Sequence, residues 1–197
     1  SPVAEDAIHA FAGDPLSEVM RLVLVESSRG EGKTSCGVIA HLVLADTLIR
    51  AELAARLPYI TAVVRDTHVN LQRTTIPTFR ELQRMGLPLR IVGQGDEAII
   101  EQDGLETNRF VFFGLDRPAD ADRLQGFTCG SLWIEEAAPA ADFSGGVAPE
   151  ALGIGATSVR QAGVPPRILL TQNPADDDHW TVHLEETLLE LGLADIE

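Results

Sequence analysis

Lysine is all but missing from this chain of 197 residues: of its 15 basic residues 14 are arginine, and Lys33 is the one exception. A sequence that otherwise always uses arginine keeps a compact ammonium at a single position, which marks that position for a specific task. Basic charge is short altogether, with 15 Lys and Arg against 30 Asp and Glu, a formal net charge of −15, and no basic tail in either half. Bulk electrostatics therefore exclude a surface that holds nucleic acid unaided and leave a well-solvated acidic one. Cysteine occurs only at Cys36 and Cys129, without framework spacing. That excludes a disulfide scaffold and predicts free thiols in a reducing cytosol. No apolar run approaches the roughly 20 residues that span a bilayer. The opening SPVAEDAIHAFAGD has neither a basic region nor a signal-like apolar segment. A soluble intracellular protein without a membrane partner is expected, and the length suits one domain over residues 1–197.

What is present alternates between strand and helix patterns. RLVLVE at 21–26 reads as a buried strand, Thr34 to Leu57 as a helix ending before Pro58, and ITAVVR at 60–65 as a second strand. A helix from Val69 to Met85 contains Pro77 and should be interrupted there. Three short strands at 89–93, 97–102 and 109–114 resemble a β-insertion. PADADRLQG reads as a short helix or turn, and SLWIEE at 131–136 as a buried strand. FSGGVAPEALGIGA is glycine-rich before a short helix, PPRILLTQNP at 165–174 holds a last core strand, and HWTVHLEETLLELG is an amphipathic final helix. Such alternation predicts an α/β fold on a mostly parallel sheet.

Between the first strand and its helix lies SSRGEGKTS. A phosphate-binding loop needs consecutive backbone N–H groups freed by small residues and aided by a helix N-terminus. Here Ser28, Arg29, Gly30, Glu31, Gly32, Lys33, Thr34 and Ser35 would surround a nucleotide's phosphates. Lys33 would reach the β- and γ-phosphates, and the Thr34 hydroxyl would bind Mg2+. Ser27 replaces the usual first glycine, and Glu31 has no explanation beside phosphate. The second half of the site is the acidic end of LWIEE: Glu135 suits the Mg2+ side and Glu136 a general base polarising the attacking water. Adjacent strand residues point opposite ways, so both serve one site only if the strand ends there. An ATP-binding P-loop NTPase fold of the additional-strand, catalytic-glutamate (ASCE) type is expected.

Four stretches in order then resemble the ATPase domain of the large terminase subunit, the motor that packages DNA in tailed phages. They are SSRGEGKT, VVRDTHVNLQRTTIPTF, LDRPADADRLQGFTCGSLWIEEA and LLTQNP, all lying within residues 21–180. The resemblance implies that Arg29 contacts phosphate and that Thr171 and Asn173 sense the γ-phosphate and couple hydrolysis to motion. Arg123 stands as an arginine finger or a surface salt bridge, and Arg65 as a site residue or a partner of Asp66 or Asp96. The resemblance further implies double-stranded DNA, sister subunits in a ring, a portal protein and a small terminase subunit as partners, in the host cell cytoplasm. Glu135 departs from the aspartate of many members, and no adenine-binding segment is matched before Arg21. The family's nuclease domain is expected to be absent from residues 1–197, so no cutting activity is assigned. Two other readings stand beside this one: another nucleic-acid motor such as a helicase, and a module that assembles on ATP without turnover.

Overall fold

The computed structural model describes residues 2–28, 30, 32–138 and 146–197. Its centre is a seven-stranded sheet in the order β1-β7-β6-β2-β5-β4-β3. The strands are β1 (Arg21–Glu26), β2 (Tyr59–Arg65), β3 (Leu89–Val92), β4 (Glu97–Gln102), β5 (Leu105–Gly114), β6 (Ser131–Glu135) and β7 (Arg167–Gln172). The first five in that order run parallel, and β4 and β3 complete the sheet antiparallel. The segment read as a β-insertion thus continues the main sheet, with β5 paired directly to β2.

Helices cover both faces, as parallel strands require. On one face lie α1 (Pro2–Ala12), α2 (Lys33–Arg50) and α4 (Ile76–Arg84), whose Phe11, Val38, Leu44, Leu48 and Phe79 pack with Val63, Phe110 and Trp133. On the other lie α5 (Asp122–Gln125), α6 (Pro149–Ala156) and α7 (Leu184–Glu190), whose Leu124, Leu152, Leu184 and Leu188 pack with Val64, Leu132 and Leu170. Phe110, Phe112, Phe113 and Trp133 are all buried and serve packing, and Cys36 and Cys129 are buried free thiols. Among the described residues no helix is long and apolar enough to cross a membrane.

Several boundaries differ from those expected. The helix read as Thr34–Leu57 stops at Arg50, because the Leu53 N–H bonds Leu48 O and the Glu52 N–H bonds Ile49 O, with Glu52 left-handed at φ 62°. That closure is the paired 6→1 and 5→2 bonding that ends many helices, here without the usual glycine. β5 begins at Leu105 rather than 109, since Thr107 and Asn108, which look turn-like by type, are wholly buried. The Asn108 side chain bonds His41 O. The final helix begins only at Leu184, so Asp176, Asp177 and Asp178 precede it and do not cap it. The helix α1 is an element additional to those expected; buried Arg167 holds its end, donating to Phe11 O at 2.9 Å and Asp14 O at 3.0 Å.

The expected helix across Pro77 resolves into α3 (His68–Asn70), a π-helical turn at Leu71–Thr75, and α4. The Ile76 N–H bonds Leu71 O, five residues back. Pro77 has no N–H to give, and its ring would strike the carbonyl four residues earlier, so the helix widens one turn ahead of it.

Candidate nucleotide site

The strand ends bring the candidate residues together. β1, β7 and β6 are neighbours and parallel, so Glu26, Gln172 and Glu135 end at one edge of the sheet. Ligands of open α/β sheets bind outside that carboxyl edge. β7 lies between the loop-bearing strand and the acidic strand, which is the additional-strand arrangement expected from the sequence.

From β1 the chain passes through Gly30 at φ 85° and Gly32 at φ 77°, conformations that side chains resist. Among the described residues a Cβ at either would meet nothing within 4 Å, so the need for glycine here is conformational. Gly32 is the N-cap of α2 and has no side chain with which to cap it, a start that suits the helix's first N–H groups to an anion. Lys33 Nζ donates to Ser27 O at 2.7 Å, Ser28 O at 2.8 Å and Asn173 Oδ1 at 3.2 Å. Thr34 and Ser35 follow in the first turn of α2. Arg29 and Glu31 lie outside the described residues, as does 139–145 of the glycine-rich stretch.

The two glutamates reach the same site through a break in strand geometry. β6 ends at Glu135, and Glu136 turns into the left-handed region at φ 53°. Such strain, about 1 kcal/mol for a residue with a Cβ, ends the up-down alternation that would have parted the pair. Glu135 is almost wholly buried, while the Glu136 carboxylate is 38% exposed. Glu135 Oε1 accepts from Thr34 Oγ1, and Oε2 from Thr75 Oγ1. Arg65, at the end of β2, lies between them. It donates to Glu136 through Nη2 and to Glu135 Oε2 through Nη1 at 3.4 Å, with its Nε 3.8 Å from Asp66. Of the two partners expected for Arg65, Asp66 is used, and both glutamates are added.

Asn173 is buried at the edge of this group, and among the described residues its Nδ2 has no hydrogen-bond partner. A buried donor left open beside Lys33 suits an anionic oxygen. Thr34 and Glu135 present hard oxygen donors, the kind Mg2+ takes. Both groups therefore fit the ligands expected of them. Thr171 is turned the other way, its Oγ1 accepting from Trp133 Nε1 at 3.1 Å inside the core. Arg123 sits exposed on α5 with its guanidinium 5.8 Å from the centre of the Phe113 ring, so among the described residues its contact is an aromatic face.

Thr75 belongs to this group although no motif marks it. It sits in QRTTIP, and only the threonine pair ahead of a helix-breaking proline hinted at it. His179 and His183 do not share a ligand: one ring bonds Thr181 Oγ1 at 2.8 Å and the other Asp177 O at 2.9 Å. Trp180 is partly buried and donates to Val147 O.

This sheet order and loop define a P-loop NTPase type of α/β fold. The whole chain superposes on the large terminase of the thermophilic bacteriophage D6E, at TM-score 0.63 and 18% identity. The same terminase in complex with ADP matches at TM-score 0.64 and 17% identity, and in complex with ATP-γ-S at 0.60 and 18%. Each match covers 100% of this chain, which spans only 43–44% of those terminase chains. At such identity the likeness is one of fold. No family profile and no curated protein sequence matches the chain.

Proposed function

We propose that residues 1–197 form the ATP-hydrolysing domain of a DNA-packaging motor of the large-terminase kind. The observation that carries this is the meeting of Lys33, Thr34, Glu135, Glu136 and Asn173 at the ends of three adjacent parallel strands, in a chain whose whole length has the terminase fold. The D6E terminase structures with ADP and ATP-γ-S support a nucleotide as the ligand.

In this reading the open N–H groups of the loop, Arg29 and Lys33 hold the β- and γ-phosphates. Lys33 would leave Ser27 O and Ser28 O to do so. Thr34 and Glu135 would hold Mg2+, which neutralises phosphate charge. Glu136 takes a proton from the attacking water as its oxygen bonds to the γ-phosphorus and the bond to the ADP oxygen breaks. To act, Glu136 must loosen its pairing with Arg65. Asn173 directly follows β7 and accepts from Lys33, so it would sense the γ-phosphate; Thr171 would pass strain on through Trp133. Exposed Arg123 would serve as a finger by leaving Phe113 for phosphate, within its own subunit or a neighbour's. The partners would be double-stranded DNA, sister subunits in a ring, a portal protein and a small subunit, in the host cytoplasm. The net charge of −15 requires that DNA be held by the assembly rather than by this domain alone.

The test is steady-state ATP turnover by the chain and by Glu136→Gln. The variant should bind nucleotide but lose at least a hundredfold in turnover, as general-base removal does, roughly. Unchanged turnover would overturn the mechanism. In a packaging assay with the intact protein, Lys33→Ala should stop DNA uptake; uptake at the normal rate would remove the motor role.

A further inference from the structure

We infer that Thr75 is a positioning residue, whose hydroxyl fixes the Glu135 carboxylate in the orientation that receives Mg2+; this rests on the nucleotide site proposed above. Thr75 is wholly buried, and its Oγ1 donates to Glu135 Oε2. The opposite oxygen of the same carboxylate, Oε1, faces Thr34. Glu135 is thus gripped on one oxygen by Thr75 and Arg65 and left with the other toward the phosphate loop. A carboxylate buried in this way has no water to set its rotation, so its hydrogen-bond donors set it. The outer partners of ligand carboxylates govern metal affinity for this reason.

The backbone shows that this contact is built in. Thr75 is the last residue of the π-helical turn at Leu71–Thr75, where an extra residue per turn rotates everything after it relative to a regular helix. In α-helical register a shift of one residue, about 100°, would aim a different side chain at Glu135. Arg65 supports the same turn, donating through Nη1 to Thr74 Oγ1 at 2.5 Å and Thr75 Oγ1 at 3.3 Å. Thr74 is itself tied to Asn70 O at 2.7 Å. One side chain therefore links the widened turn to both glutamates.

The experiment is calorimetric titration of ADP into the chain, with Mg2+ and with chelator, for wild type, Thr75→Val and Thr75→Ser. Valine keeps the shape and removes the hydroxyl. Metal-free ADP affinity should stay within about twofold, while the gain in affinity given by Mg2+ falls about tenfold. Thr75→Ser should restore that gain. A full Mg2+ gain in Thr75→Val would overturn the inference, as would an equal loss with and without metal, which marks the hydroxyl as merely structural. Wild type showing no ADP binding under either condition would instead overturn the nucleotide site itself, and the inference with it.

Discussion

Arg65 Nη2 donates to the Glu136 carboxylate while Nη1 of the same guanidinium reaches Glu135 Oε2 at 3.4 Å. One buried cation therefore balances two adjacent acids of different exposure. Truncating it should leave the Glu135 charge uncompensated in the interior, a change that costs about 3 kcal/mol. Urea unfolding of Arg65→Ala should show that loss. Arg65→Ala combined with Glu136→Gln should lose about as much, because the burden falls on buried Glu135 rather than on the more exposed Glu136.

The lone lysine permits a direct chemical test. In a polypeptide of residues 1–197, an amine-reactive reagent has only Lys33 and the N-terminal amine to modify. Lys33 donates to two loop carbonyls and Asn173, and in the proposed complex it turns to phosphate. MgATP should slow labelling of Lys33 at least tenfold and leave the N-terminus unaffected, as read by peptide mass spectrometry. Equal rates with and without MgATP would argue against contact between Lys33 and the nucleotide.

A pH effect should arise far from the strand ends. His41 is wholly buried, bonded to Gly37 O at 2.7 Å and Ser131 Oγ at 2.9 Å. Burial pushes its pKa down to about 4 from the usual 6.5. The unfolded chain takes up the proton near 6.5 and the folded chain does not until about 4. Stability is therefore full above 6.5 and drains as pH falls through that window, by up to about 3 kcal/mol. Denaturation at a series of pH values should show the slope, and His41→Gln should flatten it. An unchanged slope in that variant would assign the effect elsewhere.

Glu52 ends α2 with φ 62°, in a role that glycine fills at lower strain. Glu52→Gly should raise stability by about 1 kcal/mol, seen as a higher thermal midpoint. A lower midpoint would mean that the flexibility glycine adds to the unfolded chain outweighs the relief.

Much of this site was legible in the sequence because its parts are local. A continuous Leu/Val run that ends at small polar residues marks β1 with its observed ends, and the Gly32-Lys33-Thr34 step needs only the start of a helix to work. Glu135 and Glu136 were legible as a pair, but the means by which they share a site was not, since a left-handed glutamate has no signature in residue type. Thr75 and the contacts of Arg65 with Thr74 and Thr75 depend on the register of a π-helical turn, set jointly by Pro77 and by packing against β6. β5 was cut short for a related reason: Thr107 and Asn108 are polar by type, and only the neighbouring α2 and β4 make them interior.

Trp133 fills the space beside Gly37, where even a methyl carbon would lie 2.3 Å from its ring. It bonds Thr171, and its ring centre lies 5.7 Å from that of His41. Trp180 is the only other tryptophan. The protein thus carries its own optical gauge: in Trp180→Phe the remaining indole emits from between α2 and β7, where it would register movement at the foot of the loop. Stopped-flow emission from that variant would time nucleotide arrival without an attached dye.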